Sequence, residues 1–128
     1  MPVKIAIVDD SPAIREALRS FIQSKTDWQV CGEAEDGAAA IALTERLHPD
    51  LLVLDVSMPL MNGLDAARKI LRMAPSVRIV LFTAHAGQQL LNEARAIGIK
   101  AVIQKDGIAS LAAVVAALRE FPSTPRAA

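Results

Sequence analysis

The chain has 128 residues, 52% of them apolar and only 3% aromatic, with 14 Lys plus Arg set against 14 Asp plus Glu. That length suits one domain around one core; the balanced charge leaves no basic field for DNA or an anionic membrane, and the few aromatics argue against a base-stacking surface. One cysteine, Cys31, rules out an internal disulfide, no apolar run reaches the roughly 18–20 residues of a membrane span, and no leader pattern opens the chain, so a soluble cytoplasmic domain is expected.

Val3 to Val8 is rich in β-branched residues and ends in Asp9-Asp10, which reads as a strand closed by acid. Ser11-Pro12 then supplies a polar cap and a proline in the first turn, and Ile14, Ala17, Leu18, Phe21 and Ile22 stripe a helix to about Ser24. A short strand is expected over Trp28 to Gly32, with Cys31 buried in it as a small apolar residue, then a loop from Glu33 to Gly37. The alanine-rich run from Ala38 to Leu47 is helical and is stopped by His48-Pro49, with His48 on the surface.

Leu51-Leu52-Val53-Leu54 is an uninterrupted apolar run, the mark of a strand covered on both faces. Asp55 follows it directly and must therefore sit at the strand end, where backbone meets solvent. Met61-Asn62-Gly63 is a turn signal before a helix striped by Leu64, Ala67, Ile70 and Leu71. Val77 to Phe82 is a fourth strand ending at Thr83-Ala84, and residues 87–96 form a helix closed by Gly98. Ala101 to Gln104 is a fifth strand ending at Lys105, and Asp106-Gly107 turns into a last helix marked by Leu111, Val114, Val115 and Leu118. Pro122 to Arg126 cannot continue that helix, so residues 1–121 read as the domain and 122–128 as a tail or the start of a linker.

Strand and helix alternate five times, which implies a parallel sheet with right-handed crossovers and helices on both faces. In such a sheet Asp9, Asp10, Asp55, Thr83 and Lys105 all reach one edge. Three carboxylates crowded there repel unless a proton or a cation intervenes, and all-oxygen donors without His or Cys favour Mg2+ over zinc. A carboxylate is a competent nucleophile toward phosphorus, and a hydroxyl and an ammonium can hold phosphoryl oxygens. Asp55, the single acid on the central strand, is the best candidate nucleophile. Each residue alone has a plainer explanation: helix capping for Asp9-Asp10, a strand-end acid for Asp55, a strand hydroxyl for Thr83, a solvated loop residue for Lys105. The coincidence of all of them at strand ends is what carries the signal.

The set resembles the receiver domain of a bacterial two-component response regulator, through Ile7-Val8-Asp9-Asp10-Ser11, Asp55-Val56-Ser57-Met58-Pro59 with Asn62-Gly63, Phe82-Thr83-Ala84 and Ile103-Gln104-Lys105. The resemblance extends from Val3 to about Phe121. It implies a flavodoxin-like doubly wound five-stranded parallel sheet, order 2-1-3-4-5, with five helices. It also implies that Asp55 is the phosphoacceptor of a histidine kinase and that Asp10, Asp55 and the Ser57 backbone carbonyl ligate Mg2+, with Asp9 acting through a water. Thr83 and Lys105 would hold the phosphoryl group. Val30 to Ala34 and Lys105-Asp106 are similar to the NarL/FixJ-type class, whose members usually carry a C-terminal helix-turn-helix domain. DNA would be reached only through such a domain, which is not within this sequence. The chain is then either a stand-alone receiver or is cut at the linker.

One position departs from the family pattern. Receivers commonly have an aromatic residue three before the lysine, and here it is Val102. Without a ring to turn inward, output is either muted or carried by a shift of the loop after Thr83. The expected output face is the fourth helix, fifth strand and fifth helix, with Leu90, Leu91, Ile99 and Ala112 as partly exposed apolar contacts for a homodimer formed on phosphorylation. Ser57 and His85 flank the path of an attacking water and are candidates for tuning phosphate lifetime, although His85 reads more readily as a surface residue. The domain is expected to be no enzyme beyond its own phosphorylation and dephosphorylation. Three other classes share part of this pattern. A flavodoxin needs a flavin-phosphate loop where Asp9-Asp10 stand, and an Asp-nucleophile phosphatase of the haloacid-dehalogenase type needs Asp-x-Asp on the first strand. A constitutive interaction module (a pseudo-receiver) is the most credible rival, but its usual mark, loss of an acid or of the lysine, is missing.

Overall fold

The strand and helix signals resolve into ten elements. These are β1 (Lys4–Val8), α1 (Pro12–Lys25), β2 (Gln29–Ala34), α2 (Gly37–Leu47), β3 (Leu51–Leu54), α3 (Gly63–Met73), β4 (Arg78–Thr83), α4 (Gln88–Ala96), β5 (Ala101–Gln104) and α5 (Gly107–Glu120). The structure, a computed structural model, describes residues 2–58, 61–99 and 101–120. Pro59 of the loop motif, Phe121 and the expected tail over 122–128 lie outside the described residues.

All five strands are parallel and run in the order β2-β1-β3-β4-β5, the expected flavodoxin-like arrangement. The two-residue period of a strand divides the core into two halves. Ile5, Ile7, Leu51, Val53, Val80 and Phe82 point to the side covered by α1 and α5, where Leu18, Ile22, Val114 and Leu118 meet them. Ala6, Val8, Leu52, Leu54, Ile79 and Leu81 point to the opposite side, against Leu43, Ala67, Ile70 and Ala94 of α2, α3 and α4. The unbroken apolar run of β3 is thus two alternating sets, one for each layer of helices.

The helix starts follow local chemistry. The Ser11 hydroxyl accepts from the Ile14 N–H with Pro12 in the first turn, the Asp36 carboxylate accepts from the Ala39 N–H, and the Asn62 side chain accepts from the Asp65 N–H. At the far end of α2, His48 is exposed and adopts a left-handed conformation (φ 49°), which stops the helix one residue before Pro49. Gly98 closes α4 with φ 96°, a conformation that costs glycine little.

Four expectations need correction. β2 starts one residue later than expected and runs on through Glu33 and Ala34, because the Ile7–Glu33 and Val8–Ala34 pairings extend the ladder into the presumed loop. Cys31 is only half-buried: the β1–β2 register jumps from Ile5–Val30 to Ala6–Gly32, which leaves Cys31 as the skipped residue of a bulge. Asp55 does not meet solvent; the residue is 2% exposed. Ile99 is 3% exposed and belongs to the core beside Ala94, so it is no surface contact.

Candidate functional site

The strand registers bring the acids together. Val8 of β1 lies opposite Leu54 of β3, and Leu54 opposite Leu81 of β4, so the residues that follow these positions crowd one edge of the sheet. The backbone there is pinned. The Asp9 N–H donates to the Ala34 carbonyl at 3.0 Å and the Asp55 N–H to the Val8 carbonyl at 2.9 Å. On the neighbouring strands, the Lys105 N–H donates to the Thr83 carbonyl at 2.7 Å, which levels the ends of β4 and β5.

Asp9, Asp10 and Asp55 each present a carboxylate oxygen within 4.8 Å of the others. Asp9 and Asp55 are buried and Asp10 is exposed at the mouth. The Lys105 ammonium lies between the two buried acids, 2.8 Å from Asp9 Oδ2 and 3.3 Å from Asp55 Oδ1. Among the described residues neither of those oxygens has any hydrogen-bond partner besides that ammonium. The other Asp9 oxygen accepts from the Ser11 N–H at 2.9 Å.

The electrostatics follow from this crowding. Burial pushes the Asp55 carboxyl above its ordinary value, the Asp9 charge pushes the same way, and Lys105 pulls only part of the way back. Burial also works against the charge of Lys105, but the hydrogen bond and charge of Asp9, followed by Asp55, outweigh it and hold the ammonium above its usual range. The pocket therefore carries more negative charge than the half-buried Lys105 ammonium balances. Hard oxygen donors with unsatisfied buried atoms and no His or Cys among them fit a small divalent cation of the Mg2+ type.

Thr83 ends β4 with its hydroxyl loosely held, 3.4 Å from both the carbonyl and the N–H of His85. Ser57 and His85 are exposed and line one groove together with Val56, Thr83 and Leu90. Val102 is half-buried against the α2–α4 side of the core. Gly63, read above only as part of a turn, has a closer task. Its N–H donates to the Val56 carbonyl at 2.8 Å, and a Cβ at this position would stand 2.0 Å from the Asp55 carbonyl oxygen. Only glycine lets the start of α3 lie so close beneath the acid. Arg15 also reaches the site, donating to the Asp9 backbone carbonyl at 2.6 Å. A basic residue one turn into an amphipathic helix reads as solvated, so nothing in the sequence singled it out.

A doubly wound sheet with this acid–lysine pocket at its strand ends defines a phosphoryl-accepting signalling switch rather than a flavin or hydrolase site. The chain belongs to the response regulator receiver domain family, whose model matches residues 5–117. Among curated relatives it is 36% identical over 104 residues to the transcriptional regulatory protein YxjL of Bacillus subtilis, matching 81% of this chain and 48% of that one. The chain spans about half or less of the length of several curated relatives, down to 22%. In structure it resembles the receiver domain of NarL from Mycobacterium tuberculosis, with 30% identity, a TM-score of 0.80, and coverage of 93% of this chain and 98% of that one. It also resembles the Borrelia burgdorferi CheX-CheY-BeF3-Mg2+ complex, with 25% identity, a TM-score of 0.85, and coverage of 92% and 87%. No described helix is long and apolar enough to cross a membrane.

Proposed function

We propose that Asp55 accepts a phosphoryl group from the phosphohistidine of a histidine kinase. The observation that carries this is the buried Asp9–Lys105–Asp55 bridge, with Asp10 open at its mouth and Thr83 at the next strand end. An Asp55 carboxylate oxygen attacks phosphorus as the phosphorus–nitrogen bond to the histidine breaks, and the electron pair stays on the imidazole. Asp10, Asp55 and the Ser57 carbonyl would hold Mg2+ directly, with Asp9 through a water; bound there, the ion neutralises charge on the transferring group. The Thr83 hydroxyl, loosely engaged in this state, turns to one phosphoryl oxygen, and Lys105 exchanges a carboxylate oxygen for another.

The phosphoryl group carries about −1.5 to −2 charge in place of the single charge of the Asp55 carboxylate, and Thr83 and Lys105 meet its oxygens only in that state. The loop between β4 and α4 is biased accordingly, and the output face is α4, β5 and α5. Half-buried Leu90 and Leu91, exposed Ala112, and Ile108 at 76% exposure give that face apolar contact area for a second copy or an effector. DNA is reached only through a further domain. Residues 1–121 form the signalling domain and 122–128 begin a tail or linker. Its chemistry is limited to its own phosphorylation and hydrolysis, with Ser57 and His85 setting the lifetime and the cytoplasm as its compartment. The complete acid and lysine set disfavours a pseudo-receiver.

The test is incubation with Mg2+ and acetyl phosphate or beryllofluoride, followed by mass analysis and gel filtration beside Asp55→Asn. One phosphoryl mass on wild type and none on the variant supports the reading. No mass gain on wild type ends it, and a monomer in both states removes the dimer.

A further inference from the structure

We infer that Arg15, anchored by Glu33, is a positioning residue that fixes the Asp9–Asp10 peptide and thereby presents Asp10 to the metal; this rests on the Mg2+ reading above. The sheet ladder holds Asp9 only by its N–H, which donates to Ala34. Its carbonyl lies one residue beyond the end of β1, and the Arg15 Nη1 donates to it at 2.6 Å. With the peptide planes on both sides of Asp9 fixed, the backbone turn into Asp10 is fixed as well. Asp10 is exposed and lacks the packing that orients Asp9 and Asp55, so its direction depends on that turn.

Arg15 is itself held. Its Nε donates to Glu33 Oε1 at 3.1 Å, while Arg19 pairs with the other oxygen of Glu33. One planar guanidinium thus spans the end of β1 and the end of β2, a fork that a lysine cannot reproduce. Glu33 also matters by sign. A mobile guanidinium beside three carboxylates would compete with a cation for them; clamped to Glu33, it faces the carbonyl instead.

The experiment is calorimetric titration of MgCl2 into the full chain, wild type against Arg15→Lys, Glu33→Gln and the double variant, with each fold checked by circular dichroism. Arg15→Lys keeps the net charge, and loss of an outer partner of a metal ligand typically weakens metal binding about 10- to 100-fold. Since Arg15 acts through one backbone carbonyl, we expect the lower end, about tenfold. Glu33→Gln gives a comparable loss and the double variant little more. Labelling with acetyl phosphate shifts its Mg2+ midpoint by the same factor while its plateau at saturating Mg2+ stays at the wild-type level. Arg15→Met separates charge from position: if Arg15 brings only its charge, Met tightens Mg2+ binding; if it positions Asp10, Met weakens it. A folded Arg15→Lys with unchanged affinity, a lowered plateau with an unmoved midpoint, or tighter binding in Arg15→Met overturns the inference. A wild type that binds no Mg2+ overturns the metal reading instead.

Discussion

Lys105→Met removes the cation that bridges both buried carboxylates and keeps most of the side-chain stem. In wild type the ammonium stands 2.8 Å from Asp9 and 3.3 Å from Asp55, whose side chains are 1% and 3% exposed. Two bare carboxylates cannot share that space, and the cheapest relief without metal is a proton on one of them. Neutralising an aspartate of ordinary pKa (about 3.9) at pH 7 costs at most about 4 kcal/mol, at 1.36 kcal/mol per unit. Removing one partner of a buried pair costs a similar amount, about 3–5 kcal/mol. In EDTA at pH 7 the variant should therefore lose about 3–4 kcal/mol, or roughly 11–15 °C in Tm for a domain of this size. The same penalty shrinks to about 1.5 kcal/mol at pH 5, because the proton becomes easier to supply. Mg2+ should recover part of the loss at pH 7 by replacing the missing charge. Urea melts in EDTA at the two pH values, and at pH 7 with Mg2+, read these differences. A loss of the same size at both pH values would mean that packing, not charge, is what Lys105 contributes.

Asp55→Asn should raise stability in EDTA at pH 7–8. The folded protein holds a proton on Asp55 more tightly than the unfolded chain does, so ionising that carboxylate disfavours folding above its ordinary range. The gain should fade as pH drops toward about 4 and shrink when Mg2+ is added; a destabilised Asp55→Asn in EDTA at pH 8 contradicts the crowding described here. Gly63→Ala places a Cβ 2.0 Å from the Asp55 carbonyl oxygen and 2.9 Å from Val56 Cα, both backbone atoms that cannot rotate away. Overpacking of this kind costs about 1–3 kcal/mol and should displace the Asp55 peptide, so thermal melts and the phosphorylation rate at saturating Mg2+ should fall together. A Tm within a degree of wild type would show that α3 can retreat freely.

What the sequence made legible was whatever repeats. Strand identity came from β-branched runs, helix starts from Ser11-Pro12 and Asn62-Gly63, and the edge where the acids meet came from the parallel alternation alone. Burial at that edge was not legible. Asp55 reads as an acid that must reach solvent, because a sequence shows the cost of burying a charge but not the ammonium of Lys105, fifty residues further on, that offsets it. The same blindness hid Arg15 and Glu33. Each looks like an ordinary surface charge until two backbone facts are known: β2 runs on to Ala34, and the Asp9 carbonyl lies one residue beyond the end of β1. Both facts come from pairing between segments more than twenty residues apart, which no local pattern encodes. The acids and the lysine could be found by their position in the repeat, whereas Arg15 and Glu33, which brace the acid pair, come to light only through the register.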